Sequence, residues 1–178
     1  AWANQPAMAQ LTLAVNVSAT QFSRANFVDQ VLDVVNRSGA RPNRLKLELT
    51  ESLLLDNIEE VIFKMAALKA HGISFALDDF GTGYSSLAYL RRLPLDQLKI
   101  DQSFVRDLLV DQNSVAIAKT IIVLSDIMGL SVIAEGVESE NQRALLDNLG
   151  CPTYQGYLFS RPLPINQFEA LLLDTRPM

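Results

Sequence analysis

The chain alternates strand-like and helix-like segments, and each strand-like segment ends in a residue able to hold a metal ion or a phosphate. These ends are Asn16, Glu48, the pair Asp78-Asp79, Lys99, Glu135 and Gln155. Such an order restricts the fold severely. Parallel strands need crossover connections, and repeated strand-helix units bring the strand C-termini to one side of the molecule. A single strand tipped with a carboxylate is ordinary, whereas six polar tips in series suggest a ring.

Side chains two apart on a strand share a face. In the first segment Leu11, Leu13, Val15 and Val17 oppose Thr12, Ala14, Asn16 and Ser18. Leu45, Leu47 and Leu49 oppose Lys46, Glu48 and Thr50, and Phe75 and Leu77 oppose Ser74, Ala76 and Asp78. Leu98 and Ile100 oppose Gln97, Lys99 and Asp101, while Val132 and Ala134 oppose Ile133 and Glu135. Thr153 and Gln155 continue the series in a sixth strand reaching Phe159. One face thus suits packing on helices, and the small or polar face suits an enclosed interior. Between the strands, Ile58, Val61, Ile62, Met65 and Leu68 repeat with helical period, with Asp56 and Glu59 as a capping box and Gly72 as the stop. A second helix is expected from Ser114 to Met128, stopped by Gly129, and a third is opened by Ser139 and Gln142 and closed by Gly150. The expected fold is α/β, a TIM-like (β/α) barrel with its site at the C-terminal mouth of the strands. An open doubly wound sheet is the rival, because it also binds ligands at strand C-termini. A site fed by all six strands favours the ring.

Composition agrees with one globular domain over residues 1–178. The chain is 49% hydrophobic, which supports a substantial core, and no linker, low-complexity run or internal repeat divides it. A net charge of -5 argues against a binder of nucleic-acid polymers that relies on a basic surface. The most apolar stretch, Ser114 to Val137, is interrupted by Lys119, Asp126 and Glu135, so it does not read as a membrane span. The single cysteine, Cys151, excludes an internal disulfide and fits a reducing compartment. An oxygen-rich ligand set with one histidine suits magnesium or manganese, with calcium as an inhibitor-like occupant, and disfavours zinc. His71, beside Gly72, reads as a helix-end residue. Two bound ions would attract a phosphodiester and activate a water for in-line attack. Gly81-Thr82-Gly83 lacks the third glycine of a dinucleotide fingerprint, and Asp79-Phe80-Gly81 lacks the other loops of a kinase. These glycines instead let a loop turn over the strand ends, with Thr82, Ser85 and Ser86 supplying hydroxyls.

The ordered set AVNVS (Ala14 to Ser18), LELTES (Leu47 to Ser52), ALDDFGTGYSSL (Ala76 to Leu87), LKID (Leu98 to Asp101), VIAEGVE (Val132 to Glu138) and QGYLFSRPLP (Gln155 to Pro164) resembles the EAL family of cyclic di-GMP phosphodiesterases. The resemblance covers nearly the whole chain. It implies a bacterial cytoplasmic TIM-like barrel that hydrolyses cyclic di-GMP to linear pGpG with two magnesium or manganese ions. It also implies a homodimer, with sensory or diguanylate-cyclase-like domains upstream and attachment to a membrane protein as an option. By position, Asn16, Glu48 and Asp78 resemble metal ligands, and Asp79 and Glu135 the second-metal and water-activating carboxylates. Lys99 matches a lysine that holds the catalytic water, and Gln155 a residue of the water and metal network. Glu51 matches the glutamate that anchors the loop after Asp79 and connects catalysis to dimerisation, and Glu138 belongs to the same signature.

One departure matters. The glutamate of the name-giving Glu-Ala-Leu motif should lie well before Asn16, where the chain has only fifteen residues. Glu169-Ala170-Leu171 spells the letters, but on an amphipathic helix after Pro164. The resemblance therefore leads us to expect six of eight strands, with the first two and the following helix missing and Ala1-Trp2 as the end of that helix. Three functional readings follow: a phosphodiesterase whose activity is impaired in this fragment, a non-catalytic cyclic di-GMP receptor, and a regulatory dimerisation domain.

Overall fold

The structure, a computed structural model, describes residues 8, 10–55, 57–83 and 87–174. Strand β1 (Leu13–Val17) leads through the short helix α1 (Ala19–Phe22) into α2 (Phe27–Ser38). Strand β2 (Leu45–Thr50) is followed by a 3-10 turn (Glu51–Leu55) and α3 (Ile58–Lys69). Then come β3 (Ser74–Phe80), α4 (Leu87–Leu90), β4 (Gln97–Ile100), α5 (Gln102–Asp107) and α6 (Gln112–Ile127). Strand β5 (Ser131–Ala134), α7 (Glu140–Leu149) and α8 (Ile165–Asp174) complete the order.

The sheet runs β1-β2-β3-β4-β5, and every pair is parallel. Each strand lies beside its predecessor in sequence, with no reversal of direction. Right-handed crossovers then place successive helices on one face, which is the winding of a barrel; a doubly wound sheet would need a switch point. The helix-facing residues Leu47, Leu49, Phe75, Leu77, Leu98 and Ile100 are all buried, so the period-two pattern is the core itself. At β1 the same face is open, with Leu13 58% and Val15 38% exposed.

Helix ends follow local chemistry. Ser139 and Gln142 close a capping box on α7, and Gly150 caps its C-terminus in the left-handed conformation. Helix α6 starts two residues earlier than its apolar period suggests, because the Asp111 side chain accepts from the amides of Asn113 and Ser114. The N-cap of α3 is Asn57, with no side-chain capping bond, and Asp56 lies outside the described residues. Glu59, the other half of that expected box, pairs instead with Arg92.

The sixth expected strand is reduced to one parallel bridge between Ala134 and Tyr154. The cause is a close backbone crossing. A Cβ on Gly156 would lie 2.2 Å from the carbonyl oxygen of Val137, and residues 157–159 form a turn. Hydrogen bonds from Gln155 N to Ala134 O and from Val137 N to Gln155 O still hold Gln155 beside the end of β5.

Candidate functional site

The site begins with an irregularity in β3. Leu77 pairs with Leu98 and Phe80 with Ile100, so β3 spends one more residue than β4 over the same span. The extra residue is accommodated by Asp79, which has φ 56° and is the one non-glycine residue at positive φ among those described. Aspartate tolerates this left-handed conformation better than most residues. A regular pleat would send Asp78 and Asp79 to opposite faces. The bulge brings both to one mouth, where a carboxylate oxygen of each and one of Glu135 lie within 4.8 Å of one another.

Lys99 holds the interior together. Its Nζ lies 2.6 Å from Glu135, 2.7 Å from Glu48 and 3.0 Å from Asp78, and its side chain is 3% exposed. Burial alone would lower the ammonium's pKa, but the hydrogen bonds to Glu135 and Glu48 outweigh it and hold the group above its usual value. Lys99 is therefore a permanent cation at the centre of three carboxylates. Glu135 is itself raised, first by burial, against which Lys99 works. Its Oε1 also accepts from Gln155 Nε2 at 2.8 Å. Asp79 is raised by burial and then by the neighbouring charges of Asp78 and Asp101.

Asp101 is a member of this cluster that strand-end reasoning did not assign. It is buried, caps α5 by accepting from Ser103 N at 2.9 Å, and its charge helps to raise the pKa of Asp79. The signal was present, since Asp101 shares a face with Lys99 under the two-residue period. Asn16 lies on β1 in register with Glu48, and so on the same face. Glu51 sits apart from the carboxylate cluster: its Oε1 accepts from Gly81 N at 3.0 Å, while its buried Oε2 has no hydrogen-bond partner. Gly83 fits against that oxygen, since a Cβ there would come within 2.3 Å of it. Thr82 turns its hydroxyl back onto Asp79 O at 2.8 Å, and Ser85 and Ser86 lie outside the described residues.

A cleft of about 650 Å³ opens beside Glu135, with Glu138, Gln155, Tyr157, Arg161 and Phe168 in its walls. The Arg161 guanidinium stacks 4.6 Å above the Tyr157 ring. Glu138 is placed by Gln142, whose Oε1 accepts from the Glu138 amide at 2.9 Å and whose Nε2 donates to Val105 O. Three converging carboxylates with no nearby thiol or imidazole fit one hard divalent cation of the magnesium or manganese type. Cys151 is inert by comparison, its buried thiol pushed up to about 11.

A singly wound parallel sheet with acids and one lysine gathered at the strand C-termini defines a TIM-like fold with an acidic centre at its mouth. The EAL domain family model matches residues 1–162, and the chain belongs to that family. It is 47% identical over 163 residues to the cyclic di-GMP phosphodiesterase NbdA of Pseudomonas aeruginosa, covering 92% of this chain and 21% of that protein. The solved phosphodiesterase of MucR in complex with c-di-GMP superposes with a TM-score of 0.86 at 42% identity, covering 90% of this chain and 65% of that one. BlrP1 of Klebsiella pneumoniae, solved with manganese and cy-diGMP, superposes with a TM-score of 0.77 at 32% identity, covering 85% of this chain and 39% of that one. The chain thus spans about a fifth of NbdA. Among the described residues no helix is long and apolar enough to cross a membrane.

Proposed function

We propose that this chain carries the catalytic face of a metal-dependent phosphodiesterase that hydrolyses cyclic di-GMP to linear pGpG. The observation that carries the reading is the convergence of Asp78, Asp79 and Glu135 around the Lys99 ion-pair centre at the strand C-termini. Asp78, Asp79 and Glu135 would hold one magnesium or manganese ion, and Asn16 and Glu48 would contribute to a second. A bound ion supplies an acidified water there. Lys99 offsets the charge of three acids, so an anionic diester meets less repulsion, and Glu135 is fixed through Oε1 by Lys99 and Gln155, leaving its other oxygen to accept a proton. Water adds to phosphorus, one P–O ester bond breaks, and the departing ribose oxygen takes the proton. The cleft walls, with Tyr157 under Arg161 and Glu138 nearby, suit a guanine base that stacks and offers donors.

A second reading, a receptor that binds cyclic di-GMP without cutting it, is favoured by one observation. Among the described residues a single group of three acids is placed to hold an ion, and Glu48 is engaged by Lys99. The bacterial cytoplasm and further domains in the parent protein belong to the same proposal; the small share of NbdA that the chain covers supports the further domains. A homodimer is supported by α6, which turns Val123 and Ile127 to solvent. The test is chromatographic detection of pGpG from cyclic di-GMP with Mn2+ or Mg2+, beside calorimetric binding in Ca2+. Glu135→Gln is expected to lower turnover by roughly 100-fold or more with the fold intact. Binding without pGpG would select the receptor, and turnover of Glu135→Gln within about threefold of the parent would make Glu135 structural.

A further inference from the structure

Two interior hydrogen bonds join strands that are not neighbours. Lys46 Nζ on β2 donates to Gln97 Oε1 on β4 at 2.8 Å, and Lys99 Nζ on β4 donates to Glu48 Oε2 on β2 at 2.7 Å. Adjacent strands lie about 4.8 Å apart, so β2 and β4 are separated by roughly twice that, and both bonds must pass over β3. The register shows what lies beneath them. Lys46 pairs with Ser74, Glu48 with Ala76, and Ala76 in turn with Gln97. Ala76 therefore lies between the two diagonals, on the same face, with 0% exposure.

We infer that Ala76 is a positioning residue whose small side chain lets Glu48 and Lys99 meet across β3. The inference rests on the phosphodiesterase reading for its functional meaning, although the geometry stands apart from it. Barrel interiors fill in layers drawn from alternate strands. Here β2 and β4 supply the long side chains of a level, and β3 leaves room with Ser74 and Ala76. A branched side chain at position 76 would place methyl groups at the midpoint of both spans, in an interior without slack. Lys99 would be pushed toward Asp78 and Glu135, crowding the position where a cation fits, and Glu48 would be left as a buried acid without its partner.

The test uses Ala76→Val and Ala76→Gly in the intact protein, with Leu77→Val on the opposite face as the packing control. Crystal structures read the pairs, and titration with Mn2+ reads the site without any substrate. Ala76→Val is expected to part Lys99 Nζ from Glu48 beyond about 3.5 Å and to weaken Mn2+ binding by about tenfold or more. Ala76→Gly and Leu77→Val should keep the pair and bind Mn2+ within about threefold of the parent. An Ala76→Val protein that keeps both bonds and its Mn2+ affinity overturns the inference, and so does an Ala76→Gly protein that loses them. Should Ala76→Val fail to fold, adding Lys46→Ala vacates the lower diagonal and is expected to restore folding with Glu48 and Lys99 still parted. Failure of that rescue also overturns the inference. A parent that binds Mn2+ but yields no pGpG would end the phosphodiesterase reading and leave the role of Ala76 standing.

Discussion

Asp79 combines two liabilities, a left-handed backbone and a carboxylate crowded by Asp78 and Asp101. Because its folded pKa lies above its ordinary value of 3.8, protonation favours the folded state. The stabilisation is complete below the unfolded value and is lost as pH rises through the raised one. At pH 7 the ionised group therefore weakens the metal-free fold. Asp79→Asn, which keeps the left-handed tolerance and removes the charge, is expected to melt higher than the parent in EDTA at neutral pH. The gain should shrink as pH falls through the raised value and be gone below about 4, and stabilisation by Mn2+ should be lost. A lower melting temperature at pH 7 would mean that the carboxylate is held by contacts that favour its charge. Lys99→Met is the opposite case. It leaves Glu48, Asp78 and Glu135 facing one another in a buried site, so stability in EDTA should fall by about 3–5 kcal/mol. Denaturant titration should show part of that loss recovered by Mn2+, and equal stability of variant and parent in EDTA would show that the three ion pairs merely offset their own desolvation.

Among the elements, the local signals were legible and the long-range ones were not. The Ser139 and Gln142 box and the Gly150 cap involve neighbours in sequence, and they stand where spacing puts them. The last strand is shorter than its sequence suggests: Tyr154, Tyr157 and Phe159 have strand character, but the crossing of Gly156 over Val137 depends on a contact nineteen residues away in sequence. The loop after β3 has the same character. It is tied to the turn after β2 by Gly81 N and Glu51, and Gly83 packs against the unpartnered oxygen of that acid. Gly83→Ala is expected to displace Glu51 and the loop, lowering turnover of cyclic di-GMP by about tenfold or more while the melting temperature moves by only a few degrees. Unchanged turnover would show that the Glu51 contact does not reach the site.

The whole molecule presents two surfaces through which it can associate. β1 is the edge of the sheet with Leu13 and Val15 uncovered, and α6 exposes Val123 and Ile127. Unpaired edges invite strand addition, and a charge on them suppresses it. The chain on its own is expected to associate in light scattering, with Val15→Lys reducing association through the edge and Ile127→Lys reducing association through the helix. A monodisperse monomer at about 100 μM, well above the dissociation constants of stable dimers, would remove both surfaces from consideration. The alternation of strands and helices, the face each strand turns inward and the identity of the acids were all determined by sequence, because they follow from periods of two and 3.6 residues and from caps a few residues long. Tertiary structure alone decided that Asp78 and Asp79 share a mouth, that Lys99 reaches Glu48 over Ala76, and that Asp101 joins Asp79. Those contacts depend on one extra residue in β3 and on hydrogen bonds between residues 51 apart, distances that only the paired and bulged sheet can set.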